Sequence, residues 1–101
     1  GAKASPAVGN ANGATPVFLA AQSNRPATLA ALLAAGASPA APRGDGTTPV
    51  LMAAQEGFVE VLQQLLDAKA DPDRGGEEAP VMAAAAEGRA AAVAVLARAG
   101  A

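Results

Sequence analysis

The acidic segment Asp71–Glu78 is the part of the chain whose residue types most resemble a site for chemistry. Asp71 and Asp73 stand at the first and third positions and a glycine at the sixth, as in a calcium-binding loop. Such a loop also needs an oxygen ligand at its fifth position and a bidentate glutamate at its twelfth, and here those residues are Gly75 and Met82. The pattern therefore favours a solvated turn over a metal site.

Other catalytic side chains are scarce. The sequence has no histidine and no cysteine, which excludes zinc fingers and any serine or cysteine nucleophile that relies on a histidine base. Glu77 and Glu78 are adjacent carboxylates, but a turn lacks the cleft that general acid–base catalysis needs. The glycines around Asp45 are not followed by the Gly-Lys-Ser/Thr of a phosphate loop. We therefore expect no enzyme activity, no cofactor and no metal in these residues.

The charge pattern argues against nucleic acid and membrane partners. The 101 residues carry a net charge of −2, and the arginines are scattered, so no basic groove is evident. Residues 45–88 hold all nine acids, which is compatible with a basic partner surface or, more simply, with ordinary solvated faces. Apolar runs are too short to span a bilayer, so we expect no direct membrane insertion. Because no secretory pattern is visible, an intracellular location is favoured without a particular compartment.

An internal repeat organises the whole chain. Thr15-Pro16-Val17 recurs 33 residues later as Thr48-Pro49-Val50, and 31 residues after that as Ala79-Pro80-Val81. Threonine followed by proline is typical of the first residues of a helix. Helices are predicted over 16–23, 49–56 and 80–87, each stopped by a residue that tolerates positive φ: Asn24, Gly57 or Gly88.

A second helix is predicted after each stop, over 26–35, 59–68 and 90–99. Val61, Leu62, Leu65 and Leu66 form a broad apolar stripe on the middle one. One such helix pair cannot cover its own apolar face, whereas stacked pairs can. The links 37–47 and 70–78 are rich in Pro, Gly and Asp and are predicted to be turns.

These units resemble ankyrin repeats, whose first helix opens with Thr-Pro-Leu-His-x-Ala. Residues 48–70 look like a nearly full consensus unit, and 13–37 and 79–101 like two weaker ones. The resemblance implies an all-α ankyrin-repeat solenoid, a single domain over 1–101 of stacked helix-turn-helix pairs with turn or hairpin links. Its units would be the tail of a preceding repeat over 1–12, repeat 1 over 13–45, repeat 2 over 46–76 and a truncated repeat 3 over 77–101.

The chain departs from the family pattern at informative positions. Phe18, Leu51 and Met82 replace the family's histidine, so we expect apolar packing there instead of hydrogen bonding. Ala79 replaces the capping threonine of the third unit, at a cost of about 1 kcal/mol. No capping repeat is recognisable, so we expect a piece of a larger polypeptide or complex, with Val93 and Leu96 facing water or a missing neighbour.

The resemblance also implies a non-catalytic protein-interaction module that binds a protein partner through its concave face. That module could be an adaptor or a structural docking subunit of a larger assembly. The alternative is an accessory repeat region of a larger enzyme or channel whose catalytic part lies elsewhere. Carried over position by position, the implied contact residues are the turn tips and the exposed ends of the first helices: Asn12, Ala14, Gln22, Ser23, Arg43, Asp45, Thr47, Gln55, Glu56, Arg74, Glu78, Ala86 and Glu87.

Overall fold

A computed structural model describes residues 13–74 and 78–100 of the chain. Every regular element in these residues is a helix, which confirms the all-α prediction. The helices are α1 Pro16–Gln22, α2 Pro26–Ala34, α3 Pro49–Glu56, α4 Val59–Asp67, α5 Pro80–Ala86 and α6 Ala90–Arg98. Each predicted helix is present, and its observed ends fall within one residue of the prediction.

The first helix of each pair begins as the sequence predicts. Thr15 Oγ1 accepts a hydrogen bond from the Phe18 amide at 3.1 Å, and Thr48 Oγ1 accepts one from the Leu51 amide at 3.1 Å. Ala79 holds the same extended backbone conformation but has no side-chain oxygen to offer. The third pair therefore starts without the capping bond that the other two possess.

The helix ends also follow the predicted stops. Asn24, at φ 54°, and Gly57, at φ 74°, adopt the left-handed conformation after α1 and α3. Lys69 does the same after α4, at φ 77°, where a glycine would be easier. Its amide donates to the Leu66 carbonyl at 2.9 Å, and the next amide donates to Leu65 at 3.0 Å, so the last carbonyls of α4 are satisfied.

The three helix pairs stack side by side. The first helices form one layer, in which α1 packs on α3 and α3 on α5, and the second helices form another, in which α2 packs on α4 and α4 on α6. The resulting body measures 42 × 26 × 19 Å. Fully buried Leu29, Leu62, Leu65 and Leu96 lie in one continuous core with the alanines of the first helices. Alanines let neighbouring helices approach closely, so a few leucines suffice to fill the space between them.

Two expectations about the third pair are wrong. Leu96 is completely buried rather than facing water, because α6 packs against both α4 and α5 and carries this side chain into the core. Val93 is half-buried and also packs against the core. Met82 was expected to pack like its counterparts Phe18 and Leu51, yet its side chain is 62% exposed where theirs are buried.

None of the helices in the described part of the chain is long and apolar enough to cross a bilayer.

Candidate partner-binding face

The turn between the first two pairs is the most ordered part of the predicted contact surface. The Arg43 amide donates to the Thr47 carbonyl at 2.7 Å, and the Gly46 amide donates to the Arg43 carbonyl at 2.8 Å. Gly46 has φ 92°, the conformation needed to close such a hairpin turn. The backbone thus forms the hairpin link that the sequence predicts, with Asp45 near its tip.

Side chains lock this turn in place. Arg43 Nε donates to Asp45 Oδ1 at 3.2 Å and Arg43 Nη2 donates to Asp45 Oδ2 at 2.9 Å, a bidentate pair. The Thr47 amide donates to Asp45 Oδ1 at 3.0 Å. These bonds from Arg43 first, and then from Thr47, hold the pKa of Asp45 well below its usual range. The carboxylate is therefore charged at neutral pH while it remains open to solvent.

Arg43 also covers Phe18, a link that sequence reasoning missed. Its guanidinium carbon lies 4.9 Å from the centre of the Phe18 ring, a cation–π arrangement. Phe18 itself is completely buried and packs with Ala14, Met52 and Leu19. An arginine in a turn 25 residues after an aromatic gives no local sequence signal, so only the stacking of the pairs brings them together.

The predicted contacts at the helix ends differ in their exposure. Gln22 and Ser23, at the end of α1, are exposed. Gln55 and Glu56, at the end of α3, are half-buried, and Glu87 after α5 is exposed. The two glutamines occupy equivalent positions in the sequence, but Gln22 is more open to solvent than Gln55.

Arg89 crosses from the third pair to the end of α3. Its Nε donates to the Gln55 carbonyl at 3.2 Å. A Cβ placed on Gly57 would lie only 2.8 Å from Arg89 Cδ, so this side chain lies directly over the glycine. Glycine at position 57 thus serves both the left-handed stop of α3 and the close approach of the arginine.

The turn before the third pair is held from below. Thr48 Oγ1 donates to the Arg74 carbonyl at 2.6 Å, so the hydroxyl that caps α3 also ties down this turn. Arg74 and Glu78 are both exposed, as expected of turn residues. Asn12 lies outside the described residues. Ala14 is not a surface residue as expected, because it packs against Phe18 in the core and is 1% exposed.

The acidic segment has the character of a turn. The Asp73 amide donates to Asp71 Oδ1 at 2.9 Å, a local bond typical of aspartate in turns. Over residues 13–74 and 78–100, no group of three or more carboxylates is placed to hold a metal ion.

An open groove of about 530 Å³ lies between α4 and α6, on the layer of second helices. It is lined by both charge signs, including Asp67, Lys69, Asp71 and Arg98. None of the predicted contact residues lines it, so the groove and the predicted face are separate surfaces.

The stacked helix pairs and their ordered turns define a helical repeat protein. The family model described as ankyrin repeats (3 copies) matches residues 18–101, and the chain therefore belongs to the ankyrin repeat family. Ankyrin repeats generally act as protein–protein interaction modules and are typically non-catalytic. A comparison with curated proteins finds no match.

Proposed function

We propose that this chain is a docking module that binds a partner protein through its concave face, made of the turn tips and the ends of the first helices. The observation that carries the proposal is the turn 43–47, in which Arg43, Asp45 and Thr47 are fixed by bidentate and backbone hydrogen bonds while the Asp45 side chain stays 58% exposed. A charged group held in one conformation binds with little loss of side-chain entropy.

Unpaired charges around this turn support the same surface. Glu56, Glu78 and Glu87 form no ion pair within the described part of the chain, and neither does Arg74. Such groups are available to a partner, for which they would set orientation and association rate more than raw affinity.

The test is a pair of variants with equal changes in charge. Gln55→Arg combined with Glu56→Arg alters the end of α3 on the proposed face. Gln63→Arg combined with Asp67→Arg makes the same charge change on α4, where both side chains are exposed. Each variant and the unmodified chain would serve as bait in an extract of the source organism, with circular dichroism to verify that helicity is unchanged.

We expect the α3 variant to lose the captured partner and the α4 variant to retain it. Capture that survives the α3 variant and fails with the α4 variant would place the binding surface on the second helices. Equal loss with both variants would show a response to net charge alone and would contradict a concave site.

The finer role is an adaptor or a permanent docking subunit of a larger assembly; an accessory repeat region of a larger enzyme or channel is the alternative. The intact mass of the native polypeptide separates the last of these from the first two. A fixed stoichiometry through successive purification steps identifies a permanent subunit, and partner exchange identifies an adaptor.

A further inference from the structure

The two methionines of this chain lie in opposite environments. Met82 on α5 has a side chain that is 62% exposed, whereas Met52 on α3 is 9% exposed and packs with Ala14 and Phe18. The sequence contains no cysteine, so these two thioethers are its only sulfur atoms. An oxidant that reacts with sulfur therefore has one open target and one protected target.

The exposure of Met82 follows from its place in the stack. Its counterpart Phe18 contacts Met52 of the next pair and is covered by Arg43. The equivalent position Met82 therefore points away from α3, toward the outer side of the third pair. Ala85 on the same face of α5 is exposed as well, although its counterparts Ala21 and Ala54 are fully buried.

We propose that Met82 is a modification site, oxidised to methionine sulfoxide by peroxides while Met52 is spared. The thioether sulfur attacks one oxygen of hydrogen peroxide and the O–O bond breaks. Sulfur loses two electrons and gains an S–O bond, and the second oxygen leaves with both protons as water. The product is polar and is reducible by sulfoxide reductases, so the modification is reversible.

Oxidation at Met82 leaves the fold intact because its side chain is already largely in water. The same oxidation at Met52 would place a sulfoxide among Ala14 and Phe18, where a polar group without a partner is costly. The selective reaction thus converts the apolar outer face of α5 into a polar one without unfolding the stack.

The experiment exposes the folded full chain to hydrogen peroxide and follows the added oxygen by intact mass and peptide mapping. We expect Met82 to react at least about sevenfold faster than Met52, the ratio of their exposed fractions. In denaturant the two rates should become equal. The singly oxidised chain should keep its helicity and its thermal midpoint.

Two variants serve as controls. Met82→Leu should remove the fast addition, and Met52→Leu, a volume-conserving change, should leave it unaltered. Equal oxidation of both methionines in the folded chain would overturn the proposal. So would loss of helicity upon the first oxygen addition.

Discussion

The hydroxyl of Thr48 makes two hydrogen bonds, and its removal tests how the pairs are tied together. Thr48 Oγ1 accepts from the Leu51 amide and donates to the Arg74 carbonyl, and the side chain is 3% exposed. Thr15 makes the equivalent capping bond to Phe18. Replacement by valine keeps the shape of either side chain and deletes only the hydroxyl.

The expected cost follows from this count of bonds. Loss of a capping bond costs about 1 kcal/mol, and loss of a further intramolecular hydrogen bond costs about 1 kcal/mol. Thr48→Val should therefore lower the free energy of unfolding by about 2 kcal/mol and Thr15→Val by about 1 kcal/mol. Thr48→Ser keeps both bonds and should recover most of the difference. Ala79→Thr should add about 1 kcal/mol, because the backbone there already has the capping conformation.

The assay is urea unfolding followed by far-UV circular dichroism, since the chain has neither tryptophan nor tyrosine as a fluorescent reporter. A common dependence on urea among the variants is required before midpoints are converted to free energies. If Thr48→Val and Thr15→Val differ by less than about 0.3 kcal/mol, the bond to Arg74 contributes nothing and the reasoning is refuted.

Three further predictions concern the core, a helix stop and the hairpin turn. Leu65→Asp should unfold the stack because it buries an unpaired charge, whereas Gln63→Asp on the exposed side of α4 should not; a thermal melt decides. Gly57→Ala should destabilise more than Gly88→Ala in urea unfolding: both residues have positive φ, but only Gly57 is covered by an arginine, and equal losses would contradict that contact. The pKa of Asp45 is lower in the folded chain, so its stabilisation holds at neutral pH and fades as pH falls below the ordinary aspartate value of 3.8. The stability difference between wild type and Asp45→Asn should therefore shrink in acid, and a difference that stays constant with pH would contradict this assignment.

Much of the fold could be predicted because local signals and periodicity agree. Threonine–proline pairs begin the first helices, Asn24, Gly57 and Lys69 stand at the stops, and the leucine spacing assigns the buried side of α4. What failed concerned neighbours. Leu96 and Met82 lie in similar alanine-rich surroundings in the sequence, and only the packing of α5 and α6 decides that one is buried and the other exposed.

The candidate face was predictable to a lesser degree. Its exposed positions follow from the repeat register, but the family's histidine position gave no hint that an arginine would lie over Phe18. Ala14 was assigned to the surface because it precedes a helix, and the stacking of Met52 against it reverses that. Contacts between residues far apart in the sequence require the stack itself, which no local pattern contains.

The bond from Arg89 to the Gln55 carbonyl has a consequence for the order in which parts of the chain open. The last turn of α3 gains this partner only while the third pair is docked, so transient detachment of α5 and α6 also loosens the end of α3. Because α5 lacks a capping side chain, such detachment is the least costly local opening of the stack. Amide hydrogen exchange should accordingly be fastest in the third pair, intermediate at the end of α3 and slowest around Leu62 and Leu65.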